Sequence, residues 1–292
     1  MLPALLIALI LAGGFFGWMA ASASIVRVRN AELYLPDLPP QFEGTKILYI
    51  SDVNIRNSAD EASSRRLLRK LEAIQPDLLM LGGDYSAGTL LDELNDVPAG
   101  DPSHAEAFIR SLSGFPAPLG KFAVLGEADG GENALADAFQ ASGIQLLQDN
   151  CAVIERDGGQ IAVAGLRDIS ENRTPYDAIG RSFRANDCVI VLAHNPLSYT
   201  RIRMAEAQGG GAWADLVLSG HTLGGQIKLF GRTLRQFSEE EARRIAGWYY
   251  GDDLPILVSQ GLGCRGAKLR LGTQSEVWVI TLRRPSWQAV EG

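Results

Sequence analysis

Apolar runs in this chain end, one after another, on residues that can bind a divalent cation or move a proton. "KILYIS" leads into Asp52, "DLLMLGGD" ends at Asp84, "KFAVLGEAD" carries Glu127 and Asp129, "CVIVLAHN" holds His194, and "DLVLSGH" stops on His221. Each residue is ordinary by itself, since an Asp after a strand is commonly a turn former or helix cap and a strand-end His commonly makes a structural hydrogen bond. The set carries more. All but Asp129 are potential metal ligands, and two of the three histidines occupy such positions. His104 stands in a polar stretch entering a helix, where a solvated side chain is expected.

These residues need a scaffold that brings strand ends together. After "KILYIS", Ser58-Ala59-Asp60-Glu61 has capping-box spacing, and Leu67, Leu68, Leu71 and Ile74 mark one helix face. A polar loop from about 85 to 103, a helical stretch from about 104 and the helix "NALADAFQASG" continue a strand-helix alternation that implies a βαβ core. The second half changes character. "CAVIERDGGQIAVAGL" reads as a hairpin around Asp157-Gly158-Gly159, and "GQIKLFG", "PILVSQGLG" and "SEVWVITL" follow as strands often joined by turns. The whole predicts an α/β domain of mixed sheets covered by helices, with its chemistry in the loops beyond the strand ends.

The composition fits one large globular domain: 292 residues, 46% hydrophobic and 21% charged. The formal charge is −7 and no basic run tracks a phosphate backbone, so nucleic acid is not the expected partner. Cys151, Cys188 and Cys264 have no metal-like spacing, and small buried hydrophobes are the expectation for all three. Leu2 to Val26 carries no charge over 25 residues, while about 20 suffice to cross the hydrocarbon core. A single-pass anchor is therefore expected over residues 1–26. A cleaved signal peptide is the competing reading, because Ala21-Ser22-Ala23 has the small-x-small form. Arg27 and Arg29 follow the segment and no basic side chain precedes it, which favours the cytoplasmic side of a cell (inner) membrane. A Pro-rich linker over 27–43, a folded domain over 44–284 and a tail over 285–292 complete the expected organisation.

Taken in order, the blocks "SDVN", "GGDY", "GEAD", "LAHNP" and "GHTLGGQ" resemble the calcineurin-like metallophosphoesterases, in particular a membrane-anchored bacterial branch that includes lipid-precursor pyrophosphatases. The resemblance covers about residues 40 to 284. It implies a four-layer αββα sandwich of two mixed sheets flanked by helices, and a two-metal phosphoester hydrolase with a bridging Asp. One implied cation falls to Asp52, Asn54, Asp84 and Leu223, where the family's pattern has histidines at the Asn54 and Leu223 positions. The other falls to Asp84, Glu127, His194 and His221, with Glu127 in place of the family's Asn. Ala128 stands where the family has a His that assists the leaving group, and Asp129 remains beside it as the catalytic candidate of that block. Arg56 is a second candidate, able to hold a phosphate in the vacated cation position.

The resemblance thus implies about one divalent metal (Mn, Fe or Zn) per chain. One expectation is a hydrolase of phosphodiesters or pyrophosphates acting on a phosphorylated small molecule or lipid, such as a UDP-diacylglucosamine-type lipid A precursor. The other is a pseudoenzyme that uses the old cleft to bind a ligand or partner.

Overall fold

The computed structural model describes residues 2–88, 102–130, 135–251 and 254–286. Most of the polar loop expected over 85–103 lies outside the described residues, as does the tail beyond residue 286. Helix α1 (Leu2–Ser24) is long and apolar enough to cross a membrane, and its side chains are largely exposed as far as Trp18. Its last turns bury Met19 and Ala23 against the domain, where Arg270 N–H donates to Met19 O at 3.2 Å.

Two six-stranded sheets carry the rest. The first has the order β1 (Val26–Tyr34), β14 (Ser275–Arg283), β2 (Lys46–Ile50), β3 (Leu78–Leu81), β4 (Gly120–Ala123), β5 (Gln145–Leu146). The second runs β12 (Gly247–Gly251), β13 (Leu254–Val258), β9 (Leu216–Ser219), β8 (Val189–Leu192), β7 (Gly159–Gly165), β6 (Asn150–Arg156). A separate two-stranded hairpin pairs β10 (Lys228–Leu229) with β11 (Arg232–Thr233).

Alternation along the strands sorts side chains into three cores. Ile47, Tyr49, Leu78 and Met80 meet Val163, Ile190, Leu192 and Leu218 between the sheets. On the outer face of the first sheet, Leu48, Ile50, Leu79 and Leu81 pack on α2 (Ser58–Leu71), α3 (Ser103–Ser111) and α4 (Ala136–Ala141) through Leu68, Phe108 and Phe139. Val189, Val191, Val217 and Ile256 do the same for the second sheet against α5 (Tyr176–Gly180) and α6 (Ser198–Met204). A strand apolar on both faces must be covered twice, and the result is the four-layer arrangement that the resemblance implies.

Three sequence readings change. Residues 27–43, expected as a linker, contain most of β1, which pairs in parallel with β14 from Val26↔Ser275 to Tyr34↔Arg283. The alternating "VRVRNAELY" is the signal, muted because most of its side chains stay exposed on this edge strand. The cap of α2 is Asn57, whose side chain accepts from Ala59 and Asp60 N–H, one residue before the predicted Ser58. Cys151 is exposed on β6, while Cys188 and Cys264 are buried. The predicted hairpin at Asp157-Gly158 forms between β6 and β7, with both turn residues left-handed (φ 48° and 81°) as a two-residue hairpin demands.

Candidate metal centre

The loops after β2 and β3 run side by side. Asp52 N–H donates to Gly83 O and Asn54 N–H to Asp84 O, both at 2.9 Å. Asp52, Asn54 and Asp84 all take left-handed backbone (φ 51°, 51° and 55°), a costly conformation for non-glycine residues that clusters at functional sites. His221 (φ 69°) and Leu223 (φ 53°) repeat it after β9. Two glycines make the convergence possible. A Cβ on Gly220 would collide with Asp52 Oδ2, and one on Gly126 would collide with Asp84 Oδ1 and the His194 ring.

The two sheets contribute to one centre. Glu127, His194 and His221 bring donor atoms within 4.8 Å of one another, and Asp52, Asp84 and His194 do the same. His194 is fully buried; its Nδ1–H donates to Gly82 O at 2.6 Å, which fixes the tautomer and turns Nε2 toward the carboxylates. That nitrogen lies 2.9 Å from Glu127 Oε2 and 3.4 Å from Asp84 Oδ1, with hydrogen-bond geometry to neither. Glu127 also meets His221 Nδ1 at 2.9 Å and Arg265 Nη1 at 2.6 Å. His221 Nε2 faces Glu241 Oε1 at 3.4 Å and Arg235 Nη2 at 3.2 Å.

Three buried oxygens here have no hydrogen-bond partner: Asp52 Oδ2, Asn54 Oδ1 and Asp84 Oδ2. Orphaned oxygens are expensive inside a protein, the two carboxylate ones most of all, and a cation satisfies them. The electrostatics agree in sign. Burial, reinforced by the nearby Asp84 charge, pushes the Asp52 pKa up to about 6. Burial opposes the charged forms of His194 and Glu127 too, but their partners win: Asp84 and Glu127 hold His194 well above its ordinary pKa, while the two histidines pull Glu127 below the carboxylate range. The facing His221 imidazole, 3.4 Å away, draws Glu241 down to about 2. The centre attracts positive charge, as proton or as metal.

Asp52, Asp84, Glu127, His194 and His221, all predicted as ligands, come together here; Asn54 lies on the adjoining loop, where its Nδ2 donates to Asp52 O at 3.2 Å and its Oδ1 is buried without a hydrogen-bond partner. Leu223 is 2% exposed in the wall beside the centre, and a Cβ on Gly261 would touch both Leu223 and Asp52. The two residues predicted as catalytic point elsewhere. Asp129 is buried with both oxygens accepting backbone N–H groups, from Asp84 (2.9 Å) and Gly126 (2.8 Å) on one and from Tyr85 (2.7 Å) and Ser86 (3.2 Å) on the other. Arg56 donates to Asp60 at 2.9 Å and to Gly266 O. His104 bonds Glu61 at 2.9 Å, away from the centre.

Arg235, Arg265 and Glu241 escaped the sequence reading. Arg265 had a usable signal, since "SQGLGCRG" is another strand end of the kind that supplied the ligands. Arg235 and Glu241 had none, because their positions depend on how the chain folds back after β11.

Beside the centre, a cavity of about 620 Å³ includes Leu223, Ile227, Leu234 and Ala267 with Arg235 and Arg265 in its lining. It offers apolar surface and two guanidinium groups together, a combination suited to an amphiphilic anion.

Known proteins place this geometry in context. The chain is similar to the uncharacterized protein YpbG of Bacillus subtilis, with 28% identity over 82% of this chain and 81% of that one. It is similar to an uncharacterized metallophosphoesterase of Aquifex aeolicus, with 27% identity over 88% and 92% of the two chains. A transmembrane protein with metallophosphoesterase domain from Danio rerio shares 23% identity over 88% of this chain and 57% of its own length. The family described as calcineurin-like phosphoesterase matches residues 45–225, more than half of the sequence, a stretch that holds all five predicted ligand-bearing strand ends. On that match the chain belongs to the calcineurin-like phosphoesterase family.

Proposed function

We propose that this protein is a membrane-anchored hydrolase of phosphodiester or pyrophosphate bonds, working with about one divalent cation of the Mn, Fe or Zn class per chain. The observation that carries the reading is the set of buried donors without hydrogen-bond partners: Asp52 Oδ2, Asn54 Oδ1, Asp84 Oδ2 and His194 Nε2. Asp84, Glu127, His194 and His221 would hold the cation. When bound, it would polarise a phosphoryl oxygen and supply a water of lowered pKa. The two donor groups share the one free nitrogen of His194, the other being spent on Gly82 O, which supports a single ion.

The remaining residues bind and orient. Arg265 and Arg235, bonded to Glu127 and His221, sit where a phosphate would meet two fixed guanidinium groups. Asp129 acts as a positioning residue, tying the Asp84 and Gly126 turns together. The apolar part of the adjacent cavity favours a lipid-linked substrate, of which a UDP-diacylglucosamine-type lipid A precursor is an example, reached from the cytoplasmic face of the inner membrane.

A pseudoenzyme is the second reading, favoured by Ala128 and Leu223, which offer neither leaving-group assistance nor a ligand. Hydrolysis of bis(p-nitrophenyl) phosphate by the full chain in detergent separates the two. The hydrolase reading expects metal-dependent turnover that falls at least about 10²-fold in Asp84→Asn. Metal binding without turnover above that variant supports the pseudoenzyme.

A further inference from the structure

The hairpin after the metal centre is built unlike a water-facing turn. Strands β10 and β11 pair Leu229 with Arg232, leaving Phe230-Gly231 as the turn, both left-handed at φ 50° and 80°. Asn or Gly ordinarily fills the first such position, because a bulky side chain is strained there. Phe230 is 96% exposed, Leu234 76% and Leu229 57%, so the hairpin presents three large apolar side chains outward, Leu234 at the rim of the cavity. Residues 227–235 also carry Lys228, Arg232 and Arg235 and no acidic residue. Apolar tips flanked by cations are the composition of elements that lie in the interface of an anionic bilayer.

The hairpin's position fits that composition. Arg270 N–H bonds Met19 O at the membrane end of the domain, and the next residue, Leu271, bridges to Ile227 and accepts from Lys228 N–H at 2.7 Å. Two hydrogen bonds and one peptide step therefore separate α1 from the hairpin base, roughly 10 Å of structure. The exposed part of α1 ends at Trp18, next to the buried Met19. The hairpin base is thus held close to the point where a bilayer around α1 would end.

We propose that residues 227–235 form a membrane-inserting hairpin whose Leu229, Phe230 and Leu234 enter the headgroup and upper acyl region of an anionic bilayer, opening the cavity lined by Arg235 and Arg265 toward lipid. The insertion depth is the roughly 5–10 Å usual for interfacial elements. The inference rests on the membrane-anchored reading and deepens it, naming the surface by which a phosphorylated lipid reaches the centre.

Full-length protein in nanodiscs containing phosphatidylglycerol tests this, with an environment-sensitive NBD label at Phe230→Cys in a Cys151→Ser background. Acyl-chain doxyl lipid should quench that label by roughly twofold or more, as insertion to acyl depth requires. A label at Val153→Cys, exposed on β6 at the edge of the second six-stranded sheet, should stay unquenched. Equal quenching at both positions, or none at 230, overturns the proposal. The readout needs no enzymatic activity, so failure of the hydrolase reading leaves it intact. Where turnover is measurable, Leu229→Asp with Phe230→Asp should lower the ratio of bilayer-embedded to water-soluble substrate turnover by roughly tenfold; an unchanged ratio contradicts the substrate-access role.

Discussion

The backbone N–H of His221 donates to Asp52 Oδ1 at 2.9 Å, although the two residues are 169 positions apart and follow strands of different sheets. One carboxylate oxygen thus joins the sheets at the centre while its sister, Oδ2, has no hydrogen-bond partner. The same hydrogen bond ties the packing of the two sheets to the geometry of the site. Changes that loosen the seam between β2 and β9 should therefore affect stability and metal affinity together.

Asp129 separates a positioning role from a catalytic one. Its carboxylate accepts four backbone N–H groups from two loops, and in Asp129→Asn one oxygen becomes an NH₂ that opposes them. The variant should lose about 2–4 kcal/mol of stability, measured by chemical denaturation. Unaltered stability with a large fall in kcat would instead make Asp129 a reacting group.

The residues of the candidate centre, Asn54 apart, were legible in the sequence because each is a local fact: an apolar run with a polar residue just after it. The sheets were legible for the same reason, since "LLML" and "VIVL" are apolar on both faces. What was hidden depends on closure. Asp129 looked catalytic because its inward turn toward the Asp84 loop is a contact across 45 positions. Strand β1 looked like a linker because few of its side chains are buried and its pairing lies almost the whole chain away. Arg265 reaches Glu127 across 138 positions, a distance that no spacing rule covers.

Strand β1 makes removal of the first 39 residues costly. A chain of residues 40–292 leaves β14 as an open edge, and open apolar edges invite aggregation. Compared with the full chain in detergent, the truncated protein should melt at least about 5 °C lower and form aggregates seen by size-exclusion chromatography. Equal melting would show that β1 contributes little to the sheet.

Arg265 should govern substrate binding more than chemistry. Replacing it by Gln removes a charge-assisted contact worth roughly 1.5–3 kcal/mol, so KM for a phosphodiester should rise about tenfold or more with bound metal unchanged. A fall in kcat at constant KM, or loss of the metal, would contradict that assignment.

Asp215 provides a pH signature away from the metal centre. Burial, with Asp37 and Asp187 nearby, pushes its pKa up to about 7, while its Oδ2 accepts from Val189 N–H at 2.7 Å. The raised value means that the folded state binds this proton more tightly than the unfolded chain does. Its stabilising contribution is complete below the ordinary carboxylate pKa of about 4 and is lost as pH rises through about 7. Asp215→Asn keeps the acceptor without the charge. Its thermal stability should exceed that of the native chain above the folded pKa, by on the order of 2 kcal/mol, with the gain vanishing near pH 4. A gain independent of pH would rule out ionisation as the cause.

The central claim is that Asp84, Glu127, His194 and His221 hold one cation between the two sheets. Elemental analysis of the full chain, purified in detergent and equilibrated in turn with Mn, Fe or Zn, tests it most directly, alongside Glu127→Gln, His221→Ala and His104→Ala. The account predicts about one tightly bound metal per chain, lost in the first two variants and retained in the third. No bound metal, two per chain, or a metal indifferent to Glu127 and His221 would contradict it.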